Sequence, residues 1–410
     1  MTLLPHPASS LPRTGLSCEP TNWCGRTATR LSNEKLNLVI LHGGGHLAHL
    51  SLRSPHPSTN VLWEAPWTTA DPCTTQHDNL SLAYGEPAVG RFLAGYTGHA
   101  LCLDTFGMPS PAAASAGIPL HGEAASSPWH FLHSADGCTG SVSLKSAGLH
   151  LERKLQLHAN ESVIYVTESV TNSSTESHTL HWVEHVSFGP PFLAPQGSAL
   201  SASTHRSISW PLGYEGHSLL QDDTPFTWPL AKRDDSPADV DLSLPFQQPG
   251  HGFVAASQFD LAREDAFIAA INWQMSVAVG YCFLRSDFPW LAIWEENCAR
   301  TNTPWSGRTQ VRGMEFGTTP LPLGHEETER RGPLFDTPTS ITIAPNTSRT
   351  VRYLIFVTAV PQHWRNLDNV TLACDTLSLH GSSPASALPE TISLAARGCQ
   401  TFLLPKAIQL

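Results

Sequence analysis

Three short segments of this chain carry residues able to move protons or hold a small ligand. In Gly313-Met314-Glu315-Phe316-Gly317 a carboxylate stands between two glycines. Side chains alternate along an extended strand, so Glu315 shares its face with Gly313 and Gly317, which leave open space beside it. Glycine weakens a strand, so two of them around one charge suggest close approach by a ligand; the plainer reading is a carboxylate on a bulged edge. In Ile118-Pro119-Leu120-His121-Gly122-Glu123 the spacing places His121 and Glu123 on one strand face. In His181-Trp182-Val183-Glu184-His185-Val186-Ser187 it places Val183, His185 and Ser187 on one face and Trp182 and Glu184 on the other. Imidazole exchanges protons near neutral pH, and a carboxylate in a partly closed cleft is tuned upward toward a useful base. One acid and one base meeting across a small molecule make a proton shuttle. With 21 histidines in the chain, any one of them is by type a packing or surface residue, so the combination carries the reading.

The same residues admit a second chemistry. His121, Glu123, His185 and Glu315 supply two imidazoles and two carboxylates, a set suited to a divalent metal. A metal there would favour Lewis-acid chemistry such as ketose–aldose isomerisation or elimination. A fourth segment, Asp287-Phe288-Pro289-Trp290-Leu291-Ala292-Ile293-Trp294-Glu295-Glu296-Asn297, is followed by Thr303-Pro304-Trp305-Ser306-Gly307-Arg308. It reads as a cleft wall with Trp294 for stacking and Glu296 and Arg308 as hooks for hydroxyls, or as a buried aromatic cluster under surface charges.

The elements that must position these residues are strands. Residues 35–52 read as a hairpin turning at a glycine triplet. Apolar residues fall on alternate positions at 151–157 and 163–170, the mark of a sheet with one buried face, and 178–187 continues as a neighbouring strand. Strands are also expected at 252–259, 266–273, 276–285 and 289–295, with a closing pair at 338–344 and 349–359. Residues 364–379 read as a helix. The loop-like stretch 53–90 carries Trp63 and Trp67, which suits a packed surface element better than a linker. Residues 1–33, rich in Ser, Pro and Thr, read as an irregular N-terminal arm, and 34–410 as one domain. The fold class is therefore all-β, a large antiparallel sandwich with few helices.

Composition narrows the function. Of 410 residues, 40% are hydrophobic and 14% charged, enough for a sizeable core, and the formal charge of −11 argues against nucleic acid. No run of 18 apolar residues suggests a membrane span, and the N-terminus has neither the basic start nor the apolar stretch of a secretory signal. The nine scattered cysteines fit no zinc spacing and suit reduced thiols in a cytoplasmic protein. Five Asn-X-Ser/Thr sequons, at Asn79, Asn160, Asn172, Asn346 and Asn369, are then chance matches.

The order of the motifs resembles that of the aldose 1-epimerase, or galactose mutarotase-like, superfamily over residues 34–360. Gly90-Arg91-Phe92 is similar to that family's Gly-Arg motif and His121-Gly122 to its His-Gly motif. Glu184-His185-Val186-Ser187-Phe188 is similar to its Asn-His motif on a central strand, and Met314-Glu315-Phe316 to its late strand glutamate. The resemblance implies a β-supersandwich and a cofactor-free isomerase that interconverts the anomers of a hexose or related sugar. It implies Glu315 as the base at the C1 hydroxyl and His185 as the acid at the ring oxygen. His121 would bind near the ring and Arg91 a peripheral hydroxyl, in a monomer or homodimer. Trp63, Trp290, Trp294 and Trp305 are candidates to stack on a sugar. Glu184 stands where the family has Asn, and Glu123 where it has a second Gly. The family's sugar-binding aspartate has no clear match among Asp260, Asp265 and Asp287, with Glu296 or Arg308 as the first substitutes. Two alternatives stay open: the same fold carrying a metal-assisted isomerase, a lyase or a step of specialised metabolism, and a carbohydrate-binding protein without catalysis.

Overall fold

A computed structural model describes residues 15–53, 58–74, 83–384 and 388–404. Two large antiparallel sheets dominate it. The first has fourteen strands and the second eight, with a third sheet of three strands behind the second. The main core lies between the first two sheets and draws Leu38, Leu101, Trp182 and Leu291 from one and Leu151, Val166, Val279 and Tyr353 from the other. The eight-stranded sheet is buried on both faces at Asp265–Asn272 and Val277–Leu284, whereas Leu149–Leu157 exposes alternate residues. The sheet's outer side chains, among them Val163, Tyr165, Phe267 and Phe356, pack on Leu367, Val370, Leu377 and Leu379 of the three-stranded sheet. This explains why Asp265–Asn272 and Val277–Leu284 read as near-continuous apolar runs, while Val163–Asn172 alternates beyond Val166. The all-β supersandwich expected from the sequence is what forms.

Several local expectations change. Within the segment read as an irregular arm, Ser17–Trp23 and Arg26–Ser32 pair as a hairpin on the edge of the large sheet; residues 1–14 lie outside the described residues. Residues 364–379 are not a helix but most of a hairpin, Asn366–Ala373 with Thr376–Ser382. Its burial alternates along Thr376–Ser382, a two-residue period that the mixed polarity of the sequence hides. The strand His178–Phe188 leaves its sequence neighbours, which join the eight-stranded sheet, and enters the large one between His99–Asp104 and Gln310–Gly317. Ile341–Ile343 and Ser348–Ala359 do not close on each other. The first pairs with His178–Phe188, and the second with Val163–Asn172 and Val277–Leu284. Period two names a strand and its faces, and partner choice is settled by long-range packing. Among the described residues no helix is long and apolar enough to cross a membrane.

Candidate functional site

His178–Phe188, Gln310–Gly317 and Trp290–Asn297 lie side by side in the large sheet. Alternation along them puts His185, Glu315, Ala292 and Trp294 on one face, which floors a cleft of about 690 Å³. His185 Nε2 stands 3.2 Å from Glu315 Oε1. The His121 ring lies 5.3 Å from the His185 ring, centre to centre. The three residues that the sequence singled out for proton transfer thus meet in one place, and all three are buried.

His121 arrives by a different route from the strand expected. It occupies a turn in a left-handed conformation, φ +65°, followed by Gly122 at +82°. The turn is pinned twice to Gly107: the His121 N–H donates to the Gly107 carbonyl at 3.0 Å, and the Gly107 N–H donates to His121 Nδ1 at 3.1 Å. A ring nitrogen that accepts must lack a proton, so the neutral imidazole carries its N–H on Nε2. Burial, then the neighbouring His185, hold His121 well below the ordinary histidine range. His185 Nδ1 lies 3.3 Å from Ser187 Oγ and 3.4 Å from the Tyr96 hydroxyl, and those two oxygens are 2.5 Å apart.

Burial lowers His185 to about 3 and raises Glu315 well above 4.5. Low-dielectric surroundings disfavour the charge-separated pair, so a single proton shared between them rests on Glu315 with His185 as free base.

Of the four residues that suggested a metal site, His121, His185 and Glu315 gather here and Glu123 does not. Glu123 turns away from His121 and accepts from the Ser146 N–H at 3.0 Å and the Ser146 hydroxyl at 3.2 Å. Glu184 points to the other side of the sheet, into the core. There it takes His99 Nε2 at 2.7 Å, Arg153 Nη2 at 3.1 Å and the Tyr353 hydroxyl at 3.2 Å. Arg153 also binds Glu168, which accepts from Tyr353 at 2.9 Å and from Trp182 Nε1 at 3.1 Å. Adjacent strand residues face opposite ways, so Glu184 stays out of the cleft that holds His185. No group of three or more His, Cys, Asp or Glu side chains placed so as to hold a metal ion occurs among the described residues.

Three of the expected binding residues also lie outside the cleft lining. Arg91 sits on the helix Pro87–Gly95 and reaches the carbonyls of Gly117 and Ser126. Arg308 is directed to the Pro66 carbonyl. Glu296 is fully buried behind the wall, accepting from the Tyr214 hydroxyl at 2.9 Å and from the N–H groups of Ala299 and Arg300. Trp294 and Trp305 do line the cleft; Trp63 packs on Trp67 and Tyr96, and Trp290 is buried beneath Pro338. Asp260, Asp265 and Asp287 are all engaged elsewhere, with the Ala262 N–H, Arg263 and Arg349.

No family model matches the sequence, and no curated protein does. Solved structures do. A Klebsiella pneumoniae protein provisionally named an aldose 1-epimerase superposes with a TM-score of 0.57 at 17% identity, over 82% of this chain and 80% of its own. A galactose mutarotase-like protein from Clostridium acetobutylicum gives 0.53 at 12% identity, over 84% and 99%. A galactose mutarotase related enzyme from Lactobacillus acidophilus gives 0.52 at 12% identity, over 82% and 98%. The chain has the galactose mutarotase-like fold. At these identities the likeness is one of architecture.

On this galactose mutarotase-like frame the cleft walls come from residues that sequence reading passed over. Arg300 stacks on Tyr214 and Trp305, its guanidinium carbon 4.7 and 5.2 Å from the ring centres, and its Nε bonds Glu215 at 3.0 Å. Trp210 and Tyr214 arrive from a loop, and Tyr84, Phe92 and Tyr96 flank the opposite side. No short motif marks them: Phe92 rides on the helix Pro87–Gly95, and Trp210, Tyr214 and Arg300 on connections whose course the local pattern does not encode. Of the wall residues, Trp294 and Trp305 alone came from a segment singled out in the sequence for its aromatics.

Proposed function

We propose that the protein is an isomerase of the aldose 1-epimerase type, interconverting the anomers of a cyclic hemiacetal by proton transfer alone. One observation carries this: His185 Nε2 and Glu315 Oε1 lie 3.2 Å apart at the floor of a cleft, with His121 beside them. The names borne by the structural neighbours support the same class of reaction.

The chemistry needs one proton removed from the C1 hydroxyl and one delivered to the ring oxygen. As the C1 oxygen loses its proton, the bond from C1 to the ring oxygen breaks with its electron pair going to that oxygen, which is protonated. The product is an open-chain aldehyde. Rotation about the bond to C1 presents its other face, and reclosure runs the transfers backwards. Opening leaves the pair's single proton on the opposite partner, and closing restores it, so the pair ends as it began. This holds whether Glu315 acts first as base, as the family resemblance implies, or first as donor, as its protonated resting state favours. His121, with Nε2–H free to donate, hydrogen-bonds a ring-region oxygen. No cofactor enters the scheme, because only protons move.

Glu315→Gln tests the reading. The variant keeps the shape of the residue but cannot cycle a proton, so acceleration of anomer equilibration, followed by polarimetry, is lost while the circular dichroism spectrum is retained. An unchanged rate, or saturable sugar binding by the wild type with no rate effect on any reducing sugar, overturns it.

A further inference from the structure

The cleft pairs its proton-transfer floor with walls that are mostly apolar. Trp210, Trp294, Trp305, Tyr84, Tyr214 and Phe92 form them, and Met108 and Leu212 stand at the mouth with 46% and 67% of their surface exposed. Aromatic rings also stack on sugars, so the rings alone decide nothing. The fate of their polar tips does. The Tyr84 hydroxyl donates to the Thr68 carbonyl at 2.7 Å, and the Tyr214 hydroxyl to Glu296 at 2.9 Å. Trp294 Nε1 donates to the Tyr214 hydroxyl at 2.9 Å, and Tyr96 is taken by Ser187. Arg300, the arginine of the lining, is held by Glu215 and two aromatic faces. The other polar lining residues, Glu86, Asn302 and Thr303, are exposed at the rim.

A simple aldose carries a hydroxyl on nearly every carbon, and each one taken out of water without a partner is costly. Between floor and rim the walls leave the indole N–H groups of Trp210 and Trp305 and the outer nitrogens of Arg300 without a hydrogen-bond partner, donors alone and fewer than the hydroxyls of a simple aldose. The volume, about 690 Å³ for the whole cleft, lies in the range that encloses a drug-sized ligand, about 300–1,000 Å³. We propose that the substrate is a cyclic hemiacetal bearing a large apolar body, an aromatic or polycyclic group, which fills the walls while its hemiacetal carbon reaches His185 and Glu315. This rests on the proton-transfer reading of the floor. The bonds made and broken are those of that reading, and the apolar body takes no part in them.

The test compares D-glucose with 6-O-benzyl-D-glucose, which differ only by the apolar body. Anomer exchange is followed by NMR exchange spectroscopy and binding by isothermal titration calorimetry on the full chain. The expected result is kcat/KM higher for the benzyl ether by about tenfold or more, the factor that burying a large apolar group carries. Trp305→Ala and Leu212→Asp each bring that ratio down toward one; Leu212 is exposed, so its variant folds whatever becomes of the buried Trp305. Equal or better turnover of D-glucose overturns the substrate class while leaving the proton shuttle standing. Saturable binding of the benzyl ether alone, without exchange of either sugar, sinks the shuttle and supports the apolar-body site. Binding of neither compound overturns the proposal.

Discussion

The carboxylate of Glu315 folds back over Gly313, so that a β-carbon built at position 313 would stand 2.2 Å from Glu315 Oε1. The open space beside this glycine, which the strand pattern suggested was left for a ligand, is taken by Glu315 itself and by the Trp294 ring at 3.3 Å. The second glycine, Gly317, lies against Val183, whose Cγ2 would meet a β-carbon at 2.6 Å. Gly313→Ala should therefore push the carboxylate out of its 3.2 Å approach to His185. Misplacing a reacting group by about 1 Å costs on the order of 100-fold in rate, so kcat should fall by that order. The colliding atom ends a flexible side chain beside a cleft, so the melting temperature should change little. Polarimetry with a thermal melt checks both; a wild-type rate would show that the position of the carboxylate does not govern turnover.

The shared proton sets a pH dependence. The competent free enzyme has one proton on the pair, a state that spans from about 3 at His185 up to the raised value at Glu315. kcat/KM should thus be flat through the ordinary histidine range, with its acid limb only near 3 and its alkaline limb at the raised value of Glu315. An acidic limb near 6.5 would refute this. Stability follows with a definite sign. Glu315 keeps its proton in the folded state above the pH, near 4.5, at which the unfolded chain loses it, so its contribution weakens as pH rises from 4.5 toward the folded value. Glu315→Gln should accordingly melt higher than the wild type at pH 8, by about 1–3 °C, with the gap closing near pH 4.

What the sequence showed and what it hid divide along physical lines. His121, His185 and Glu315 were legible because residue type and order carried the signal, and alternation then put His185 and Glu315 on the cleft face. Glu184 was legible only in facing the other way; that its side of the sheet is core depends on Arg153 and Tyr353 from the second sheet. Trp294 and Glu296 share a strand face, yet Tyr214, 82 residues before Glu296, covers that carboxylate and leaves Trp294 lining the cleft. Arg91 came from the motif resemblance alone, and its helix turns it toward the Gly117 and Ser126 carbonyls instead of into the cleft.

The buried ionic cluster behind the cleft should matter for stability more than for turnover. Arg153 is the cation between Glu168 and Glu184, all three essentially without exposure. Burial, with the Glu184 carboxylate beside it, raises Glu168 to about 7 despite the arginine. Arg153→Met would leave two carboxylates facing each other without a counter-charge, at a cost of about 3–5 kcal/mol. Urea denaturation should register this as a lower midpoint with an unchanged slope, while kcat of the folded fraction stays near the wild type. A midpoint equal to the wild type would mean that Tyr353, Trp182 and His99 suffice to hold the carboxylates.

His185 and Glu315 are anchored in the middle of a hydrogen-bonded sheet, whereas Trp210, Tyr214, Arg300 and Trp305 ride on connections between strands. Backbone registration fixes the reacting groups, and the surface that selects a guest hangs from segments free of that registration. If the proposed proton transfer holds, diversifying residues 210–215 and 300–305 alone would retarget the protein to new molecules without touching His185 and Glu315, a modularity that suits a starting scaffold for directed evolution.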